Sequence, residues 1–309
     1  MNRGELVALA RKWRWPIRLV VIVAGVAIAR FFPADANYTD CIGQKVDTDR
    51  QIEACTQVIA HDAADRRGVA YFMRGNVWES KADYDRAMAD FDQAIELDPK
   101  NGKAFYDRGL AWQHKGDNNR AMADYDHAVS LDPKIVDAYN NRGLVWVARG
   151  DNDRAIAEYD HAIGLDPRHA ISYYNRGIAW ANKGDNDHAI ADDDQAISLD
   201  PKFAAAYSNR GLVWAKKGDY DRAIADYDQA IDLDNRDAVF YTNRGIAWGR
   251  KGDSDYAIAD FDMAIGIDPK SSLAYFNRGL AWAHKGNNDR AIADYSQATS
   301  LDPRSIIEA

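Results

Sequence analysis

A period of 34 residues governs this chain. It is plainest at 207–234, YSNRGLVWAKKGDYDRAIADYDQAIDLD, and near-copies begin at Tyr71, Phe105, Tyr139, Tyr173, Tyr241 and Tyr275. Seven repeats therefore tile 68–305, as 68–101, 102–135, 136–169, 170–203, 204–237, 238–271 and 272–305, with 306–309 as a tail. A period of this length marks stacked supersecondary units rather than one globular core. Such an array grows by adding units, so a length of 309 residues sets no domain count by itself.

Within 204–237, Tyr207, Gly211 and Trp214 recur at helical spacing and share one face of a first helix. Glycine inside a helix costs about 1 kcal/mol relative to Ala, yet it stands here in every repeat, at Gly75, Gly109, Gly143, Gly177, Gly211, Gly245 and Gly279. The reading is close approach of a second helix where no Cβ fits. Gly218 ends the first helix as a residue able to take the left-handed conformation. Asp219 and Asp221 are candidate caps of a second helix, whose Ala223, Tyr227 and Ala230 form its packing face. Proline then stops that helix at Pro99, Pro133, Pro167, Pro201, Pro269 and Pro303.

This order of aromatic, Gly, aromatic, Gly, Ala, aromatic, Ala and Pro resembles the tetratricopeptide repeat family over 68–305. The resemblance implies an all-α fold, a right-handed superhelical solenoid of antiparallel helix pairs whose first helices line a groove. Three departures stand out. Ala82 replaces the turn glycine of the first repeat, Asn235 replaces a proline, and Asp193 replaces the second-helix aromatic of the fourth. A carboxylate at a core position needs a partner or a route to water, so the junction at Asp193 is expected to be a softer point.

The resemblance also implies which residues face the groove. Asn141, Asn175, Asn209, Asn243 and Asn277 recur two positions after the first aromatic. An amide donates and accepts at once, as a peptide group requires, so this ladder is a candidate peptide-binding site. The same residue is also a common choice at this place in the family, and the two accounts stand level. The ladder fails in the first two repeats, at Met73 and Asp107. An aliphatic stripe (Leu110, Leu144, Ile178, Leu212, Ile246, Leu280) follows three residues on, and packing explains such a stripe as well as binding does. Lys216 and Arg250 stand at the groove edge, too few for the family's carboxylate clamp. The Arg after each ladder position, such as Arg210, faces many second-helix Asp and is expected to pair between repeats.

Charge and cysteine usage bound the setting. Residues 1–36 hold six Lys/Arg against Glu5 and Asp35, and the remainder carries −13 from 33 basic and 46 acidic side chains. A body so acidic, with both signs interspersed, is a poor match for a phosphate backbone, so nucleic acid is not an expected partner. Basic residues precede the apolar run Leu19–Ala29, which as a helix rises only about 16 Å against a hydrocarbon core of about 30 Å. With the small residues Ala34 and Ala36 after it, the stretch 1–36 reads as a signal peptide or a signal anchor, a membrane tether through Leu19–Ala29. Either way the array lies across the membrane, in the periplasm or anchored facing it.

Cys41 and Cys55 are the only cysteines. Residues 37–67 read as a degenerate capping half-repeat in which DRQIEACTQVIAHD aligns with a second helix. Cys55 then stands at the aromatic position and Cys41 across a short turn. In an exported chain this favours a disulfide; a metal pair or redox dithiol fits the spacing poorly.

No catalytic constellation, cofactor fingerprint or metal-ligand cluster emerges, so no catalytic residue, cofactor or metal is expected. The expected function is a non-catalytic scaffold binding an extended peptide or protein segment. The rival is a structural subunit of an envelope complex, self-associating at the C-terminal end.

Overall fold

A computed structural model describes residues 32–302 apart from Gln44. The leader expected at 1–36 lies outside them up to residue 31. The first described helix, α1 (Phe32–Ile42), runs straight through the expected cleavage point at Ala34–Ala36. Among the described residues no helix is long and apolar enough to cross a membrane, and none of the elements is a strand.

The chain divides into two compact bodies, Met1–Ile135 and Val136–Ala309. In the first, α1 and α2 (Thr48–His61) form an antiparallel hairpin, followed by the pairs α3 (Ala64–Ser80) with α4 (Tyr84–Leu97) and α5 (Gly102–His114) with α6 (Asn118–Leu131). In the second, α7 (Val136–Ala148) pairs with α8 (Asn152–Leu165) and α9 (Ala170–Lys183) with α10 (Asn186–Leu199). Then α11 (Ala204–Lys216) pairs with α12 (Tyr220–Leu233), α13 (Ala238–Lys251) with α14 (Ser254–Ile267), and α15 (Ser272–His284) with α16 (Asn288–Leu301). Each body is an all-α repeat solenoid.

The helix ends follow from their sequence. Gly116, Gly150, Gly184, Gly218, Gly252 and Gly286 all take positive φ, between 75° and 93°. Ala82 is forced into the same conformation at φ 57°, a position where a Cβ is a strain. Asp219 caps α12 by accepting from the Arg222 N–H. Asp221 is not a cap: it receives Lys251 of the next repeat at 2.6 Å.

Inside each pair from α3–α4 onward, except α9–α10 where Asp193 stands, the second-helix aromatic lies over the first-helix glycine. A Cβ on Gly211 would stand 2.9 Å from the Tyr227 ring and 3.1 Å from the Ala223 carbonyl oxygen. The expected backbone approach is therefore present, but the ring is the nearer obstacle. In the N-terminal hairpin no ring fills that position. Cys55 does, joined to Cys41 by a disulfide, and both are fully buried with Ala54, Val58 and Ala70.

Repeats are tied together by arginine. Arg210 donates from Nε and Nη2 to both oxygens of Asp226, on the second helix of its own repeat, at 2.9 and 2.6 Å. Its remaining Nη1 reaches Asp194 of the preceding repeat. Arg108, Arg176, Arg244 and Arg278 repeat this double pairing, and Arg74 substitutes Thr56 for the second carboxylate. The inter-repeat pairing expected from sequence is present, and the bidentate pair within the repeat is an addition to it. A lysine at the end of every repeat's first helix but α7, which has Arg149, adds a second tie, as from Lys217 to Asp187. Arg222 covers the Trp214 ring at 4.3 Å, so these tryptophans are packed as expected.

Candidate functional site

In the second body, residues two, six, nine and thirteen of each repeat fall on one face of the first helix, because they are spaced four, three and four apart. First helices of neighbouring repeats touch there. The asparagine ladder occupies the sixth position, but its members are not equivalent. Asn175 is buried and donates to Asn140 Oδ1 at 3.0 Å. Asn209 donates to Asp193 Oδ2 at 2.7 Å. Asn277 turns back to the Leu273 carbonyl of its own helix, 2.9 Å away. Asn141, half-buried on α7, is also engaged. The Asn243 side chain makes no hydrogen bond among the described residues.

Two local changes in sequence draw these side chains inward. At the fifth position, where other repeats carry an aromatic or a hydroxyl, α7 has Asn140. Its Oδ1 also accepts from Ser172 Oγ at 3.3 Å, while Ser172 Oγ lies 2.8 Å from His169 Nδ1 and His169 Nε2 lies 3.3 Å from Asp137 Oδ1. The hydrogen bond His169 donates to Asp137 raises the imidazole from its ordinary value, against the opposing effect of partial burial. A protonated ring satisfies every member: Nε2–H donates to Asp137, Nδ1–H donates to Ser172, and Ser172 donates onward to Asn140. The order Asp–His–Ser is that of a hydrolytic triad, but Ser172 is 0 % exposed with its proton directed at Asn140. No substrate carbon can reach its Oγ, and the chain works as a hydrogen-bond relay from Asp137 to Asn175.

The second change is Asp193. It is 0 % exposed, and Oδ1 has no partner. Burial pushes its carboxyl up to about 8, and the Asn209 bond only partly offsets this. The partner required by a core carboxylate is thus a ladder asparagine. Sequence flagged Asp193 as an anomaly but did not connect it to Asn209, which is 16 residues away on the next repeat.

Around the ladder the face is apolar and open. Ile171, Leu212, Val239, Leu273 and Leu280 are all exposed, and all stand at the second or ninth position. In the first body the corresponding region differs: Asp107 replaces the asparagine, and burial, reinforced by Glu79, pushes its carboxyl up to about 7. Among the described residues no group of His, Cys, Asp or Glu could hold a metal ion. At the C-terminal repeat Ile292 is 62 % exposed, where Ile224 is 6 %. Ser296 stands there in place of the carboxylate that Arg244 meets as Asp228 and Arg278 as Asp262.

Comparison with known proteins agrees with this architecture. Tetratricopeptide repeat models match residues 68–101 and 204–237, 114–167 and 140–202, and 272–305. A tetratricopeptide repeat protein from Parabacteroides merdae ATCC 43184 has a TM-score of 0.63 at 20 % identity, covering 78 % of this chain and 95 % of that one. PilW, a widely conserved type IV pilus biogenesis factor, gives 0.62 at 21 %, over 67 % of this chain and 96 % of its own. Pseudomonas aeruginosa pilF gives 0.60 at 17 %, with coverage of 68 % and 96 %. A search of curated proteins finds no match. Helix pairing, glycine–ring packing and family models agree: the chain belongs to the tetratricopeptide repeat family.

Proposed function

We propose that the chain is a non-catalytic scaffold that holds an extended segment of a partner protein against the first helices of 136–302. Proteins of this repeat family serve as protein-interaction scaffolds. The observation that carries the finer reading is the exposed set Ile171, Leu212, Val239, Leu273 and Leu280 on the same helix face as Asn243, whose amide is left for a ligand. Solvated aliphatic side chains in a row gain about 25 cal/mol per Å² when covered, and an amide among them can meet a peptide group. Asn175 and Asn209 each spend one amide N–H supporting the face from within. Of the five ladder residues, Asn243 is the one we assign to direct contact.

The test is selection of binding peptides from a displayed library against the full chain. Leu212→Asp with Leu280→Asp is expected to abolish binding while the chain stays folded, since both sites are partly solvated. Retained binding would sink the assignment. Joining of array ends is the weaker reading: Ile292 offers an apolar spot, but Ser296 lacks the carboxylate that Asp228 and Asp262 supply to the arginine of the following repeat.

The scaffold is proposed to work outside the cytoplasm. Support comes from the paired Cys41 and Cys55, with no free cysteine among the described residues, and from the basic-then-apolar order of 1–36. Alkaline phosphatase fused after Ala309 is expected to be active, and an inactive fusion in a stably expressed protein would overturn export.

A further inference from the structure

Beside the aliphatic row on this face runs a row of N–H donors, two of them cations. Lys216, Arg250 and His284 occupy the thirteenth position on α11, α13 and α15, one turn beyond Leu212, Ile246 and Leu280. All three are exposed, and none makes an ion pair among the described residues. Their immediate neighbours behave differently: Lys217, Lys251 and Lys285 are each held by an aspartate of the preceding repeat. A cation in the last turn of a helix interacts favourably with the helix dipole, but Lys217, Lys251 and Lys285 already supply that. The dipole also fails to explain why α7 and α9 carry Ala148 and Asn182 at the same position. In a chain with 46 acidic side chains after residue 36, two consecutive unpaired cations followed by an imidazole on an otherwise apolar face are a specific arrangement.

We propose that this face selects an acidic–aliphatic segment in a polyproline-like conformation, lying across α11, α13 and α15. The proposal rests on the scaffold reading above and names the chemistry of its partner. Packed helices lie about 8–10 Å apart. A polyproline helix turns once in three residues and rises about 9 Å per turn, so every third side chain lies on one edge at that spacing. An acid at every third residue meets Lys216, Arg250 and His284 in turn, and the next edge of the same segment lays aliphatic side chains on Leu212, Ile246 and Leu280. The backbone of such a helix makes no internal hydrogen bonds, which leaves its peptide groups free to pair with the Asn243 amide.

The experiment measures fluorescence anisotropy of labelled nonapeptides built from Leu-Pro-Glu, Leu-Pro-Gln or Leu-Pro-Lys triplets, titrated with the full chain. The glutamate peptide is expected to bind about tenfold more tightly than the glutamine one at low salt, with the gap closing as salt rises. Lys216→Glu with Arg250→Glu is expected to reverse the order in favour of the lysine peptide. Equal binding of all three peptides, lost on Leu212→Asp with Leu280→Asp, would overturn the acidic preference and leave the scaffold face standing. Glutamate-peptide binding that survives both pairs of substitutions would overturn the two together, as would no binding by any of the three peptides. Melting temperatures of the variants separate lost binding from lost fold.

Discussion

Repeats 170–203 and 204–237 share a framework and differ most sharply at the core position that holds Asp193 in one and Tyr227 in the other. In the second, the Tyr227 ring lies over Gly211 and is 1 % exposed. In the first, Asp193 replaces the ring, and its Oδ1 stands 3.2 Å from where a Cβ of Gly177 would be. The array accommodates the exchange by borrowing a polar group from the next repeat, Asn209. Repeats in a stack act largely on their nearest neighbours. A defect in one is therefore compensated at the interface with the next, and that interface is also the proposed binding face.

Swapping the two residues tests this most severely. Tyr227→Asp is expected to cost about 3–5 kcal/mol in urea denaturation, because it loses ring packing and buries a carboxyl whose one available partner is Asn243, the counterpart of Asn209. The reverse change, Asp193→Phe, copies Phe91 and Phe261 and is expected to stabilise by about 2 kcal/mol. If it destabilises, the framework around Asp193 has been rebuilt for the acid.

A smaller effect comes from proton linkage. The folded Asp193 carboxyl at about 8 lies above its ordinary value of 3.8, so between these pH values the folded state keeps a proton that the unfolded state has released. Its contribution is complete below the ordinary value and is lost as pH rises through about 8. Melting temperature should therefore fall with rising pH across that window. Asp193→Asn should flatten the upper part of the slope, and an unchanged slope would mean another group is responsible. The smallest effect is expected at Asp194→Asn, about 0–1 kcal/mol. This partner of Arg210 is exposed, and Asp226 retains the guanidinium by two bonds.

The fold was legible because Tyr207, Gly211, Trp214, Ala223 and Tyr227 encode one hairpin by local spacing, and seven copies remove ambiguity. The cysteine pair was legible for the same reason: alignment to a second helix placed Cys55 at the ring position. The site was less so. Asn175 and Asn209 look identical in sequence to Asn243, and only their distant partners, Asn140 and Asp193, distinguish them. Such pairings cross repeats, so a local pattern does not contain them. The cation row was half visible, as Lys216 and Arg250. Its significance depended on finding Lys217 and Lys251 already bound elsewhere.

The arginine ties have a consequence for how such a gene can change. Arg210, Asp226 and Asp228 belong to one repeat: the first two close on each other, and Asp228 receives Arg244 from the next. An internal repeat therefore carries its own lock and the socket for its successor. Tandem duplication or loss of a whole 34-residue block between 170 and 271 would leave every arginine of that stretch with two carboxylates. Unequal exchange could lengthen or shorten the array without a compensating substitution.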